Sequence, residues 1–435
     1  MEPQVIGILG IVVLLLLLAV GVHVAVALGT VAMVGLVIIT NLDATLSLFS
    51  HSFYVTTSNF SFTVLPLFII MGNFAAASGV TEKAYDFANK WLSQLRGGLY
   101  LVTTGASALF AAATGSSTAT TLAIGKTVLP EMKRYGYDRR LSIASVACSG
   151  TLGVLIPPSI VMVIYGIVTE EPIGRLLIAG VIPGIVSALI YMLGIYLLVR
   201  VNPTLAPPTA KYGWNERFRA IPGLWGVGLL FGIIIVGIYS GIFTPTEAGA
   251  IGAITAIVLL GLKSKSNFFN EAKKAAWDTA MAVAMMFFIV MTAIIFTRFL
   301  TVAGVIDTLL SFITGKDLPP ITLLIFLIVV SVVLGMFLSA TAALLLIAPI
   351  AHDVLVPVGY DGIWLGILLV KMFELAAITP PVGLNVYVAK TLVPDMELVD
   401  VFRGVAAFAV MDLITIAIIV VFPQLALWLP SLAFD

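Results

Sequence analysis

From end to end the chain is a succession of apolar blocks of roughly 15–27 residues, separated by short polar segments. A helix needs about 20 residues to cross a bilayer. Full spans are expected near 5–20, 24–40, 61–79, 141–166, 176–200, 220–240, 248–263, 277–297, 362–389 and 404–430. The blocks at 99–131 and 319–350 behave differently and are treated below. The first block is not a secretory signal: Met1-Glu2-Pro3-Gln4 supplies no basic start, and a second apolar block follows directly. The expected fold class is an all-α polytopic membrane protein with about ten transmembrane helices and two re-entrant helical hairpins.

Composition narrows the function. Of the 435 residues, 60% are hydrophobic and 10% charged, whereas soluble domains carry about 25% charged residues. Lys+Arg and Asp+Glu both number 22, so no basic excess exists to bind nucleic acid. One cysteine and three histidines (Cys148; His23, His51, His352) build neither a zinc nor an iron–sulfur site. No G-x-x-x-x-G-K-[ST] supports an ATP-driven pump, and no G-x-S-x-G supports a serine hydrolase. Tyr137-Asp138 and Tyr360-Asp361 resemble an intramembrane aspartyl pair only superficially, because both stand in loops. The chain is not expected to be an enzyme or to carry a cofactor.

Basic residues in short loops set orientation. Segments 81–97, 131–141, 200–219, 263–278 and 390–403 hold 3, 4, 4, 4 and 2 Lys or Arg, or 17 of the 22. The opposing loops hold only Arg175, Arg298 and Lys316. All five rich segments share a face only if blocks 99–131 and 319–350 each enter and leave by the same side. Both blocks are therefore expected to be re-entrant hairpins, with both chain termini outside.

The chain also repeats itself. Gly136-Tyr137-Asp138 recurs as Gly359-Tyr360-Asp361, and 21 residues after each glycine stands a proline pair, Pro157-Pro158 and Pro380-Pro381. Upstream, Phe74 and Gly79-Val80 match Phe299 and Gly304-Val305. The charge count turns the copies in opposite directions, which makes the repeat inverted. The domains expected are scaffold helices at 1–60, a first repeat at 61–200, linker and scaffold helices at 201–276, and a second repeat at 277–435. Within the linker, residues 202–213 are the one proline-rich polar stretch. Segment 82–95 places Ala84, Phe87, Ala88, Trp91, Leu92 and Leu95 on one helical face, as an interfacial lipid anchor or as an arm carrying a hairpin.

Polar chemistry sits where a membrane tolerates it least. The first hairpin carries Thr114-Gly115-Ser116-Ser117-Thr118-Ala119-Thr120-Thr121 at its middle, and the second carries the weaker Gly335-Met336-Phe337-Leu338-Ser339-Ala340-Thr341. Small hydroxylated residues allow a tight turn and offer oxygens to a hard cation, while helix N-termini attract an anion. The alternative is helix packing through small residues. Each proline pair removes amide donors and frees carbonyls one turn upstream. A polar tip beside a broken helix, twice over, is the layout of a secondary transporter built from inverted repeats.

The runs GSSTATTLAIGKTVLPEMKRYGYD (115–138), GTLGVLIPPSIVMVIYG (150–166), PLF with MGNF (66–74), TPTEAGAIG (244–252) and ITPPVGLNVYV (378–388) resemble the large membrane subunit of tripartite ATP-independent periplasmic (TRAP) transporters. The resemblance covers essentially the whole chain. It implies a sodium-driven elevator in the bacterial inner membrane, carrying a small organic anion such as a C4-dicarboxylate, sugar acid or sulfonate. It implies two partners, a periplasmic substrate-binding protein and a small four-helix membrane subunit. It also implies sodium between each tip and its broken helix: Thr114, Ser116, Gly153, Leu155 and Pro158 at the first site, and Ser339, Thr341, Ile378, Thr379 and Pro381 at the second. Ser117 and Thr118 are assigned to substrate with Asn73 and Asn385, although a helix–helix hydrogen bond is the alternative for both asparagines. The second tip, FLSATA, lacks the acidic or bulkier polar residue expected there. An anion carrier without a binding protein, or a channel, are the alternative functions.

Ionisable residues within spans are functional candidates. Lys371 and Glu374, three apart on one face, form a local pair, or else Glu374 polarises the second cation site or relays protons. Lys126 snorkels toward the cytoplasm or attracts an anion. Cys148 and His23 read as packing residues, and Asp412 has no assignable role.

Overall fold

The computed structural model describes residues 2–434 apart from 265, 307, 309, 310 and 312–318. Lys265 and Lys316, both counted among the loop charges, lie outside the described residues. No strand occurs among the described residues. The helices are α1 (Pro3–Ala19), α2 (Val24–Ile39), α3 (Leu42–Ser58), α4 (Val64–Ala77), α5 (Val80–Leu92), α6 (Gly98–Thr114) and α7 (Ser117–Arg134). Next come α8 (Arg139–Leu155), α9 (Ile160–Val168), α10 (Ile173–Ala179), α11 (Val181–Val201), α12 (Trp214–Ala220), α13 (Trp225–Tyr239) and α14 (Pro245–Lys263). The last group is α15 (Phe268–Val302), α16 (Pro320–Gly335), α17 (Ala340–Leu355), α18 (Gly362–Ile378), α19 (Leu384–Lys390), α20 (Leu398–Val421) and α21 (Gln424–Phe434).

Among the described residues six segments are long and apolar enough to cross a bilayer: Phe60–Ala77, Ile173–Val201, Trp214–Tyr239, Pro245–Lys263, Phe268–Val302 and Leu398–Val421. Helices α8 and α9, bent by 43° at their break, make a seventh. The expected ten spans are thus not matched one for one. α1 and α2 have only 17 and 16 residues, about 25 Å at 1.5 Å per residue, and block 362–389 is interrupted at 379–383. Helix α3 lies where no span is expected, because seven Ser and Thr among its 17 residues dilute its hydropathy.

Both hairpin blocks fold as helix–turn–helix, and local chemistry sets their ends. Gly115, at φ +64°, closes α6, and the Ser116 hydroxyl caps α7 by accepting from the Ala119 amide at 3.3 Å. In the second hairpin Ser339 caps α17 in the same way, accepting from the Ala342 amide at 3.3 Å. Asp138 caps α8 through the Leu141 amide at 2.8 Å, and Asp361 caps α18 through the Trp364 amide at 3.0 Å. Helices α8 and α18 are each 17 residues long and end just before their proline pairs. Caps, helix lengths and breaks share the register of the proline pairs.

Helix α5 buries Val80, Thr81, Ala84, Tyr85 and Ala88, and packs on α6. The expected face is rotated: Trp91 and Leu92 are only half-buried, and Leu95 lies past the helix end, 48% exposed. The linker is strapped down rather than free. Leu205 accepts from the Tyr100 hydroxyl at 2.9 Å and from the Asp138 amide at 3.1 Å, while Thr209 donates to the Ser93 carbonyl at 2.7 Å.

Direct contacts join all five basic segments. Lys263 reaches Glu82 at 3.9 Å, Trp91 donates to the Arg217 carbonyl at 3.2 Å, and Asp138 meets Leu205. Arg139 pairs with Asp395 at 2.5 Å and Arg140 with Asp400 at 2.8 Å. The turn at 359–361 keeps other company: Tyr165 donates to the Gly362 carbonyl at 2.7 Å, and His352 meets Glu171 at 3.1 Å. Since α8 starts at Arg139 and α9 ends at Val168, the bent pair runs from the basic surface to the neighbourhood of that second turn.

Candidate functional site

The first tip is pressed onto the first broken helix with no room for a side chain between them. A Cβ on Gly115 would stand 1.9 Å from the Pro158 carbonyl oxygen. One on Gly153 would stand 2.8 Å from the Ser116 carbonyl oxygen and 3.0 Å from the Thr120 hydroxyl, and one on Gly150 would overlap the Thr121 hydroxyl. From the other side α4 closes in, since a Cβ on Gly72 would meet the Thr114 carbonyl oxygen at 2.7 Å. The structure therefore brings together Thr114, Ser116, Gly153 and Pro158. The Leu155 carbonyl packs against Gly180 at the junction of α10 and α11.

Four helix ends meet here. The C-termini of α6 and α8 bring carbonyl oxygens that favour a cation, and the N-termini of α7 and α9 favour an anion. The Thr114 hydroxyl is held by the Phe110 carbonyl at 3.1 Å. Ser159 accepts from the Met162 amide at 3.2 Å and donates to the Val154 carbonyl, fixing the first residue after the break. Among the described residues Thr121 finds no hydrogen-bond partner for its buried hydroxyl, a feature its place in the polar run did not single out. Among the described residues no group of three or more His, Cys, Asp or Glu gathers to hold a metal ion.

The second site is looser. Gly335 meets α18 at Ala376 and Phe373, where a Cβ would be 2.7 and 3.0 Å away. That contact falls short of the break. Thr379 turns back on its own helix, donating to the Leu375 carbonyl at 2.6 Å. Among the described residues Ser339 and Thr341 make no hydrogen bond to Ile378, Thr379 or Pro381.

Ser117 and Thr118 open α7 and are half-buried. Asn73 donates to the Thr279 hydroxyl on α15 at 3.0 Å, which makes it a helix–helix contact. Asn385 is buried, with its amide 3.4 Å from the Ala147 carbonyl and its side-chain oxygen unpartnered. His23 is exposed at the turn before α2 and is not a packing residue.

Lys371 does pair with Glu374, at 2.8 Å, and its second partner is Asp412 at 2.6 Å. Tyr191 donates to the same Asp412 oxygen at 2.8 Å, with Cys148 buried nearby. All three charged side chains are fully buried. Among the described residues Oδ2 of Asp412 has no hydrogen-bond partner, and the Glu374 carboxylate stands by the Leu155 backbone. Sequence separations of 41 and 221 residues hid this cluster. The one signal was that a buried ionisable residue such as Asp412 needs a partner.

The fold is shared with a solved transporter, YdaH of Alcanivorax borkumensis, at a TM-score of 0.62 and 14% identity over 99% of both chains. At the sequence level the chain is 36% identical to the C4-dicarboxylate TRAP transporter large permease protein DctM of Pseudomonas aeruginosa, over 87% of this chain and 88% of that one. It is 31% identical to the ectoine TRAP transporter large permease protein TeaC of Halomonas elongata, over 86% and 87%. It is 30% identical to the sialic acid TRAP transporter large permease protein SiaM of Vibrio cholerae, again over 86% and 87%. The family described as tripartite ATP-independent periplasmic transporter, DctM component, matches residues 11–425. This multi-pass membrane chain belongs to that family, as the large permease subunit.

Proposed function

We propose that the chain is the translocating subunit of a sodium-coupled secondary transporter, which carries a small organic anion across the bacterial inner membrane by an elevator movement. The observation that carries the reading is the seating of the first tip on the first broken helix, where the Pro158 carbonyl oxygen packs on Gly115 and the Ser116 carbonyl oxygen, which also accepts from the Thr120 amide and hydroxyl, packs on Gly153. A hard cation there is held by neutral oxygens, and the α7 N-terminus, with Ser117 and Thr118, faces an acid group. Closing the cation site therefore completes the anion site, which is how one ion gradient moves another solute. The second tip is assigned the second sodium, with Ser339, Thr341, Ile378, Thr379 and Pro381 as its ligands.

Inversion of the repeats is supported by the company each turn keeps. Turn 136–138 joins the basic surface, which is the cytoplasmic face by the charge rule, and turn 359–361 lies by Glu171 near the end of α9. Relatives named for C4-dicarboxylates, ectoine and sialic acid support a solute of that range, and among them the acids suit the helix N-termini. A soluble binding protein delivers the solute, and a small membrane subunit completes the assembly.

Reconstitution tests the reading. Proteoliposomes with this chain, the small subunit and the binding protein are expected to take up substrate only in sodium. Omitting the binding protein is expected to remove most of the uptake. Full activity from the chain alone overturns the tripartite reading and favours a conventional carrier. Uptake that fails to saturate favours a channel.

A further inference from the structure

Helix α7 does more than carry the tip. From Thr118 the residues Leu122, Lys126, Leu129 and Lys133 follow at spacings of three and four, one stripe of the helix. Lys126 and Lys133 are exposed on a cavity of about 460 Å³, which the first turn of α8 and the segment 392–395 close on its other sides. That volume falls in the roughly 300–1,000 Å³ range of small-molecule pockets. Of the charges that border the cavity, Arg139 is matched by Asp395 at 2.5 Å. Neither Lys126 nor Lys133 has a salt-bridge partner among the described residues; Lys133 acts on Asp395 from beyond that distance, and since Asp395 already pairs with Arg139, positive charge remains in excess around the cavity. Lys126 lies nine residues from Ser117, about 14 Å along the helix, well inside an apolar block where a lone cation marks an ion path.

We propose that this cavity is an anion station on the cytoplasmic side of the tip, where Lys126 and Lys133 together hold a dianionic solute, such as a small dicarboxylate, between its release from Ser117 and Thr118 and its escape into the cytoplasm. The proposal rests on the organic-anion reading above and adds to it a binding site and a preference for two acid groups. The two lysines stand two turns apart, so an anion with separated charges engages both, while a monoanion engages one at a time. A lysine that merely snorkels lends the surface its charge but holds no solute.

The test uses the purified chain with its small subunit, in potassium buffer and without the binding protein, so that coupling plays no part. In a Cys148→Ala background, Leu129→Cys places a reporter thiol on the cavity wall. Pro130→Cys, at an exposed position beside it, is the second reporter should the first prove unreactive. Anionic and cationic methanethiosulfonate reagents of similar size are compared, each scaled to its rate with a free thiol. The anionic reagent is expected to react faster, and Lys126→Gln and Lys133→Gln are each expected to lower that preference by about threefold. Millimolar succinate is expected to slow labelling of the reporter chain, acetate is expected to slow it less, and the double glutamine variant is expected to lose protection. Labelling blind to charge, or unprotected by succinate, overturns the station, and if sodium-driven uptake persists it overturns the station alone. Charge-selective, succinate-protected labelling in a chain whose uptake ignores sodium overturns the coupled carrier and leaves the station standing.

Discussion

Gly115→Ala is the substitution that bears hardest on the proposed cation site. The new Cβ would lie 1.9 Å from the Pro158 oxygen and 2.9 Å from its carbonyl carbon. Ordinary contact begins near 3.4 Å, so tip and break have to separate by about 1.5 Å. Hard cations hold oxygens at about 2.3–2.6 Å in proteins, as calcium does, and a gap of that size removes ligands on one side outright. A misplacement of about 1 Å already costs on the order of a hundredfold in function at a preorganised site. The φ of +64° adds about 1–2 kcal/mol of backbone strain for any residue with a Cβ. Gly136→Ala supplies the control, because it shares the strain at φ +75° and meets nothing within 4 Å. Both variants are expected to lose thermal stability in detergent, Gly115→Ala the more because it adds the clash to the shared strain. In uptake against sodium concentration, with all three components present, only Gly115→Ala is expected to raise the sodium midpoint at least thirtyfold or to abolish transport (about 2 kcal/mol or more). A wild-type midpoint in Gly115→Ala would show that the tip seats elsewhere and would refute the reasoning.

Further perturbations probe other parts. Ser116→Ala removes the α7 cap and a candidate ligand while adding no bulk; at about 1.5–3 kcal/mol for a bond to a charged group, sodium affinity is expected to fall about ten- to a hundredfold in the same assay. Lys371→Met strands two buried carboxylates and is expected to cost about 3–5 kcal/mol, read as loss of folded protein in detergent. Adding Glu374→Gln and Asp412→Asn to it is expected to recover much of that loss. With Cys148→Ser as background, Arg134→Cys is expected to label only from the cytoplasm and Val358→Cys only from outside, since the two turns occupy opposite ends of the fold.

How much of this was legible in the sequence depended on whether the signal was local. A run such as Thr114–Thr121 inside an apolar block has few structural uses, so the first hairpin and its tip were readable. Paired prolines end helices by removing donors, which fixed both breaks to within a residue or two. The face of α5 was misjudged because Tyr85 and Thr81 take burial that hydrophobicity assigned to Leu95. Helix α3 went unseen because its hydroxyls dilute hydropathy. Contacts between distant segments left no trace: Asp412 on Lys371, Asp395 on Arg139, and Leu205 across the foot of α6 depend on packing that no local pattern encodes. The roles of Gly115 and Gly153 emerged only with their neighbours in place, since a glycine in a membrane helix is common in any case.

Closure of the first tip on its broken helix is the step proposed to couple sodium to solute. The most direct measurement is accumulation in proteoliposomes carrying the complete transporter and its binding protein, with labelled solute equal on both sides and sodium higher on the delivery side. Solute is expected to concentrate inside, a sodium ionophore to collapse the gradient, and replacement of sodium by potassium to prevent it. Solute that stays equal on both sides whatever the sodium gradient would contradict that coupling.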